Sequence, residues 1–164
     1  MEGRVVVGEL EVTSVAEAAD IVRDPTDLPG PLGRESSRNV VIELETVELA
    51  VALAEDTSYT YWTFNGKVPG PFLRIRVGDT AEVHLKNRAG NRMVHSVDFH
   101  AVTGPGGGAT LTQVPPGEER VFTFKALKPG LYVYHCATAS VAHHISSGMY
   151  GMILVEPEAA PGRS

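Results

Sequence analysis

Cysteine occurs once in these 164 residues, at Cys136, so no disulfide can form within the chain and the fold must rest on its core. Positive charge is scarce: 14 Lys and Arg against 20 Asp and Glu leave a net charge of -6. That balance excludes general nucleic-acid binding, which needs a basic face, and fits a basic protein partner or no charged partner at all. No apolar run approaches the ~20 residues of a membrane-spanning helix. The first residues, Met1 to Glu9, hold only a short apolar run broken by acidic residues, unlike a secretory signal. There is no internal repeat. The glycine-rich run Gly104-Pro105-Gly106-Gly107-Gly108 is followed by no Gly-Lys-Ser/Thr and no helix, so it is not a phosphate loop.

Turn-forming residues, by contrast, are plentiful, with 17 glycines and 11 prolines, which favours many short strands. From Val40 the chain alternates with a period of two: Val40, Ile42 and Leu44 against Val41, Glu43 and Glu45, the pattern of a half-buried strand. Further strands are predicted around Tyr59 to Phe64, Phe72 to Val77, Thr80 to Lys86, Val94 to Ala101, Arg120 to Lys125, Leu131 to His135 and Tyr150 to Val155. Asn65-Gly66, Pro69-Gly70-Pro71, Gly78-Asp79 and Lys128-Pro129-Gly130 punctuate them. About eight short strands with regular turns mean an all-β domain over 39–157, a β-sandwich or closed Greek-key barrel. Residues 1–38 read as an N-terminal arm. Ser14-Val15-Ala16-Glu17 has the form of a capping box, predicting a short helix over roughly 15–22 that Asp24-Pro25 ends. Leu28-Pro29-Gly30-Pro31-Leu32-Gly33 is an extended connector, which either packs on the barrel or a neighbouring subunit or stays solvated. The tail, 158–164, is expected to be disordered.

The stretch from His135 to Met149 concentrates the chemistry. It holds the lone cysteine, three of the six histidines and a methionine, in a loop after an apolar strand. Cys136-x7-His144-x4-Met149 fits a mononuclear copper site, because a thiolate and two imidazoles with a weak axial thioether suit both Cu(I) and Cu(II). His95 is the candidate for the second imidazole. His143 competes with His144, which is chosen on its spacing to Met149; Met93 and Met152 are rival axial ligands. His84, alone on an alternating strand, reads as an ordinary surface histidine.

A second group lies in His95-Ser96-Val97-Asp98-Phe99-His100. Side chains alternate across a strand, so the odd separation sends His95 and His100 to opposite faces, and the neighbours His135 and Cys136 diverge likewise. If Cys136 and His95 point inward together, His100 and His135 point outward together. Asp98, two residues before His100, shares the outward face, where a carboxylate could relay protons. The His135-Cys136 peptide then joins the two sides covalently.

Tyr61-Trp62-Thr63-Phe64-Asn65-Gly66-Lys67-Val68-Pro69-Gly70-Pro71, His95 through Ala101, Gly106-Gly107-Gly108, and His135-Cys136-Ala137 through Gly148-Met149-Tyr150-Gly151 together resemble the first cupredoxin domain of copper-containing nitrite reductases, over about residues 38–157. The short Cys-x7-His linker is similar to the subgroup with the tighter ligand loop. The resemblance implies a cupredoxin-like Greek-key barrel in which His95, Cys136, His144 and Met149 hold a type 1 electron-transfer copper. It implies that His100 and His135 hold a type 2 catalytic copper, and that Asp98 hydrogen-bonds bound nitrite and helps deliver protons. It implies nitrite as substrate, a small electron-donor protein (a cupredoxin or cytochrome c), a homotrimer, and a periplasmic or extracytoplasmic site. In that family a second cupredoxin domain follows and a neighbouring subunit supplies the third type 2 histidine. The 164 residues carry no such domain, which predicts a full type 1 copper, a weak and partial type 2 copper and slow or absent turnover. A carrier using the type 1 copper alone is the alternative. A laccase-like trinuclear site is disfavoured, because no His-x-His pair occurs.

Overall fold

Alternating apolar and polar residues carry most of the chain into strands that bury one face each. In the computed structural model, which describes residues 16–17, 21–33, 36–104 and 106–158, these strands form two sheets. The first sheet orders β1 (Ala16–Glu17), β2 (Asn39–Ala54), β5 (Thr80–Asn87) and β7 (Glu119–Lys125), with β3 (Thr57–Phe64) also paired to β2. The second orders β4 (Leu73–Arg76), β9 (Tyr150–Glu156), β8 (Gly130–His135) and β6 (Asp98–Phe99). A helix, α1 (Val141–Ser146), lies between β8 and β9. Between the sheets sit Leu44, Phe64, Val83, Phe99, Tyr134 and Ile153, all 1% exposed or less. The architecture is the all-β, cupredoxin-like sandwich expected from the pattern.

β2 is far longer than its alternating start implies, and it serves two partners. Over Asn39 to Thr46 it runs parallel to β5, and over Thr46 to Ala54 antiparallel to β3. The buried face changes with the partner: Ile42, Leu44 and Thr46 point inward, then Val47 and Val51 take over. Glu48, two residues beyond Thr46 with no bulge between them, keeps the face of Ile42, Leu44 and Thr46 and reaches the region described below. A buried polar node sits at the switch. Thr46 Oγ1 donates to Asn87 Oδ1 at 2.9 Å, Asn91 Nδ2 donates to Thr46 O at 2.8 Å, and Asn87 Nδ2 donates to Val114 O at 2.8 Å. With every partner supplied, such a node fixes its loops in one arrangement.

Two expectations need correction. Val94 to Ala101 is not one strand: Asp98–Phe99 pair with β8, while His95 makes only an isolated bridge to Val114. The cause is competition for the backbone, since His95 and Val114 exchange both of their hydrogen bonds, at 3.2 and 2.8 Å. Of the helix predicted over 15–22, Ala16–Glu17 form a strand parallel to β2, residues 18–20 lie outside the described residues, and Ile21 is helical. Farther along the arm, Ile21 is buried and Val68 N–H donates to its carbonyl at 2.7 Å. The tail beyond residue 158 lies outside the described residues.

Candidate metal centre

Two groups of ligand-type side chains come together, one buried and one at the surface. In the buried group, His95, Cys136 and His144 bring their ligand atoms within 4.8 Å of one another. His95 Nδ1 lies 3.3 Å from His144 Nδ1, and His144 Nδ1 lies 3.2 Å from Cys136 Sγ. Bonds of about 2.0–2.1 Å to nitrogen and about 2.3 Å to sulfur put cis ligand atoms on the order of 3.0–3.6 Å apart, so the three atoms fit around one ion. Each arrives from a different element. His95 is held by its bridge to Val114, Cys136 follows the end of β8, and His144 sits on α1 as the one fully buried residue of that helix.

The choice of His144 over His143 follows from that helix, which sequence spacing treated as loop. Neighbours on a helix are turned about a quarter to a third of a revolution apart, so His144 faces inward at 1% exposure while His143 is exposed. Met149 is fully buried, accepts from Cys136 N–H at 3.1 Å and donates to His144 O at 3.2 Å through its backbone. Met93 is 41% exposed, which removes it as a rival. Met152 is half-buried on β9.

The surroundings prepare these side chains for a metal. Burial pushes the His144 pKa down to about 4, with His95 and His143 adding to the shift, so its imidazole is neutral at neutral pH. Burial likewise lowers His95, against an opposing pull from Glu48. A neutral imidazole is the form that binds a metal. Ser96 N–H donates to Cys136 Sγ at 3.4 Å, the contact that a thiolate would use.

Glu48 was not singled out in the sequence, where it is one acid among many on a strand. Its Oε1 accepts from His95 Nε2 at 3.1 Å and from the backbone N–H groups of Arg92 and Met93 at 3.0 and 2.8 Å. With Nε2 bonded outward, the Nδ1 lone pair of His95 is left for the site; orienting partners of this kind accompany most metal-binding histidines. Trp62 was read only as part of an aromatic strand. Its ring centroid lies 4.6 Å from that of His144, 5.5 Å from His95 and 4.9 Å from His143. It therefore covers both buried imidazoles.

The second group, Asp98, His100 and His135, also has its ligand atoms within 4.8 Å of one another. His100 Nε2 and His135 Nε2 are 3.0 Å apart. The register makes this contact: Asp98 lies directly opposite His135 in the β6–β8 pair, and His100 N–H continues the ladder to Val133 O at 3.1 Å. Directly opposed residues share a face, so Asp98, His100 and His135 stand together. His135 Nδ1 lies 3.0 Å from the Cys136 carbonyl, an acceptor that requires the proton on Nδ1 and leaves the Nε2 lone pair outward. Gly107 N–H donates to Asp98 Oδ2 at 2.7 Å. Only glycine fits there, because a Cβ would run into the Phe99 backbone and stand 2.6 Å from Asp98 Oδ1. The glycine-rich run that is no phosphate loop thus positions a carboxylate. His84 remains apart, between Glu119 and Glu82 at 2.7 and 2.9 Å.

Residues 46–160 match the family model described as "Multicopper oxidase". The chain belongs to the multicopper oxidase family. Within that family it is similar to copper-containing nitrite reductases. The one from Neisseria meningitidis serogroup B is 49% identical over 132 residues, 80% of this chain and 34% of that protein. The one from Alcaligenes xylosoxydans xylosoxydans is 46% identical over 143 residues, 85% of this chain and 43% of that protein. Among solved structures, a copper nitrite reductase from Nitrosomonas europaea superposes with a TM-score of 0.66 at 39% identity, covering 77% of this chain and 44% of that one. The resemblance read from the sequence therefore holds, and this multicopper oxidase family member spans between about a third and a half of the length of these relatives. Among its described residues no helix is long and apolar enough to cross a membrane.

Proposed function

We propose that this chain is the copper-binding part of a nitrite reductase, in which His95, Cys136, His144 and Met149 hold a type 1 copper and His100 and His135 hold a type 2 copper. One observation carries the reading: two ligand groups of different chemistry stand back to back across a single peptide, with Cys136 in one and His135 in the other. When bound, copper supplies a one-electron couple at the buried group and a Lewis-acidic, reducible centre for nitrite at the outward group. The residues do the rest. The Cys136 thiolate and its two imidazoles form a soft, dry set, shielded by Trp62, that needs little rearrangement between oxidation states. The His135-Cys136 peptide gives the electron a bonded route outward, and the 3.0 Å contact of His135 Nδ1 with Cys136 O lies beside it. Converting nitrite to nitric oxide and water takes one electron and two protons, and the Asp98 carboxyl supplies one of those protons at the outward face.

By the same reading the electron comes from a small cupredoxin or cytochrome c, the working assembly is a homotrimer, and the protein acts in the periplasm. These points rest on the likeness to the copper-containing nitrite reductases. A carrier that used the buried group alone would have no use for His100, His135 and Asp98, so the outward group favours the enzyme.

The test is optical. Copper-loaded protein is expected to show an intense visible band from thiolate-to-Cu(II) charge transfer, and Cys136→Ser is expected to abolish it, since a hydroxyl is not a soft donor. A Cys136→Ser protein that kept the band would overturn the assignment.

A further inference from the structure

Three polar side chains stand in a row between the Cys136 sulfur and solvent, and the reading above gives them no task. Ser96 is fully buried, Thr138 is half-buried and Gln113 is exposed. We infer that Thr138 is a positioning residue for electron transfer: its hydroxyl, backed by Ser96, donates to the Cys136 sulfur and so raises the reduction potential of the buried copper. The inference rests on the type 1 copper proposed above.

The protons available fix the direction of each bond. As a thiol, Cys136 donates to Thr138 Oγ1 at 3.5 Å. A metal takes cysteine as the thiolate, which has no proton. The same contact can then be made only with Thr138 as the donor. Ser96 Oγ accepts from Ala137 N–H at 3.1 Å and keeps one proton to give. Thr138 Oγ1, at 3.1 Å, is nearer to it than Cys136 Sγ, at 3.8 Å. Two hydroxyls share one proton along the line between them, so with Ser96 donating, Thr138 turns its own proton elsewhere. Two acceptors are in reach: Gln113 Oε1 at 3.1 Å and Cys136 Sγ at 3.5 Å. The amide is exposed and can bond to water instead, whereas the sulfur is fully buried. A bond to an ionised acceptor is roughly twice as strong as one to a neutral acceptor, so the thiolate takes the proton although Gln113 is nearer. The bonds then run inward, from Ala137 N–H through Ser96 and Thr138 to Cys136, each polarising the next. With Ser96 N–H at 3.4 Å, the sulfur has two donors.

The sign follows from where the charge sits. With Cu(II) the thiolate shares its charge with the metal; with Cu(I) more of that charge stays on sulfur. A donor to sulfur therefore favours the reduced state, and hydrogen bonding around this sulfur is one of the levers on such a potential. It also lowers the sulfur orbital from which the charge-transfer band starts, so it moves that band to shorter wavelength. Losing the donor reverses both effects.

The experiment compares the copper-loaded parent with Thr138→Val, which keeps the shape and removes the hydroxyl, and with Thr138→Ser, which keeps the hydroxyl. Redox titrations are followed at the visible band. Thr138→Val is expected to shift the equilibrium with a reference couple toward Cu(II) at least about threefold, roughly 30 mV at about 59 mV per tenfold change for one electron. Its band is expected at longer wavelength, and Thr138→Ser is expected to remain close to the parent in both readouts. Thr138→Ala, which adds no bulk, takes the place of Thr138→Val if that variant fails to hold copper. A smaller shift in potential, a band that does not move, or a Thr138→Ser protein that falls as far as Thr138→Val overturns the role of the hydroxyl while leaving the copper site standing. A loaded parent with no visible band overturns the buried site itself, and the inference with it.

Discussion

Replacing Glu48 by alanine tests how His95 is aimed. The Glu48 side chain is 9% exposed, and its Oε1 gathers three donors: His95 Nε2, Arg92 N and Met93 N. Arg92 and Met93 are exposed, so their N–H groups can turn to water after the change. The His95 ring is fully buried and cannot. Its orphaned Nε2–H then carries the main cost, about 1–3 kcal/mol for an unsatisfied buried donor. The freed imidazole also loses the bond that leaves Nδ1 for the metal, and loss of such orienting partners costs on the order of 10–100-fold in metal affinity. Both effects are measurable on one protein. Trp62 is the single tryptophan and packs on both buried imidazoles, so its fluorescence reports urea unfolding of the metal-free chain and quenching by added copper. Glu48→Ala is expected to lower the unfolding midpoint at an unchanged slope and to weaken copper binding, and Glu48→Gln, which keeps an acceptor of equal reach, is expected to recover most of both losses. A metal-free Glu48→Ala protein within about 0.5 kcal/mol of the parent, the usual scatter of surface changes, and with equal copper affinity would refute the argument.

Three further outcomes follow from the geometry. His144→Ala is expected to remove or strongly shift the visible copper band and His143→Ala to leave it nearly intact, since only His144 faces inward from α1; absorption spectra of the two copper-loaded variants decide. Gly107→Ala is expected to destabilise the fold by about 1–3 kcal/mol, as overpacking does, because its Cβ would meet the Phe99 backbone and Asp98; urea denaturation measures it, and an unchanged midpoint contradicts it. The third concerns pH: hydrogen bonds that His84 donates to Glu82 and then Glu119 raise its pKa above its ordinary 6.5, so the folded form holds that proton more tightly than the unfolded chain. This clamp between β5 and β7 is therefore fully present below about pH 6.5 and is lost as pH rises through the higher folded value. His84→Gln should flatten that limb of the stability–pH curve, and parallel curves for parent and variant would exclude the clamp.

The sequence by itself determined the fold class and most of the strands from Val40 onward, and it pointed to the side chains that the structure gathers at His95, Cys136 and His144 and at His100 and His135, because period-two alternation and covalent neighbours such as His135 and Cys136 act over a few residues. It also led to His144 rather than His143, though by spacing to Met149 and not by the helix that in fact turns one inward and the other out. The parity argument for His95 and His100 gave the right faces by a route the chain does not follow, since no continuous strand joins them. Only the tertiary structure decided the rest. Glu48 meets His95 because β2 runs on past Thr46 on the same face to a loop 47 residues farther along the chain, and Trp62 covers the imidazoles because β3 pairs back on β2. Gly107 holds Asp98 across a separation of nine residues. The Asp98–His135 register, which brings a carboxylate to the outward histidines, depends on pairing between strands more than thirty residues apart. Such contacts are set by which surfaces bury one another, and a linear pattern of polarity fixes the face a residue takes but not the residue it will meet there.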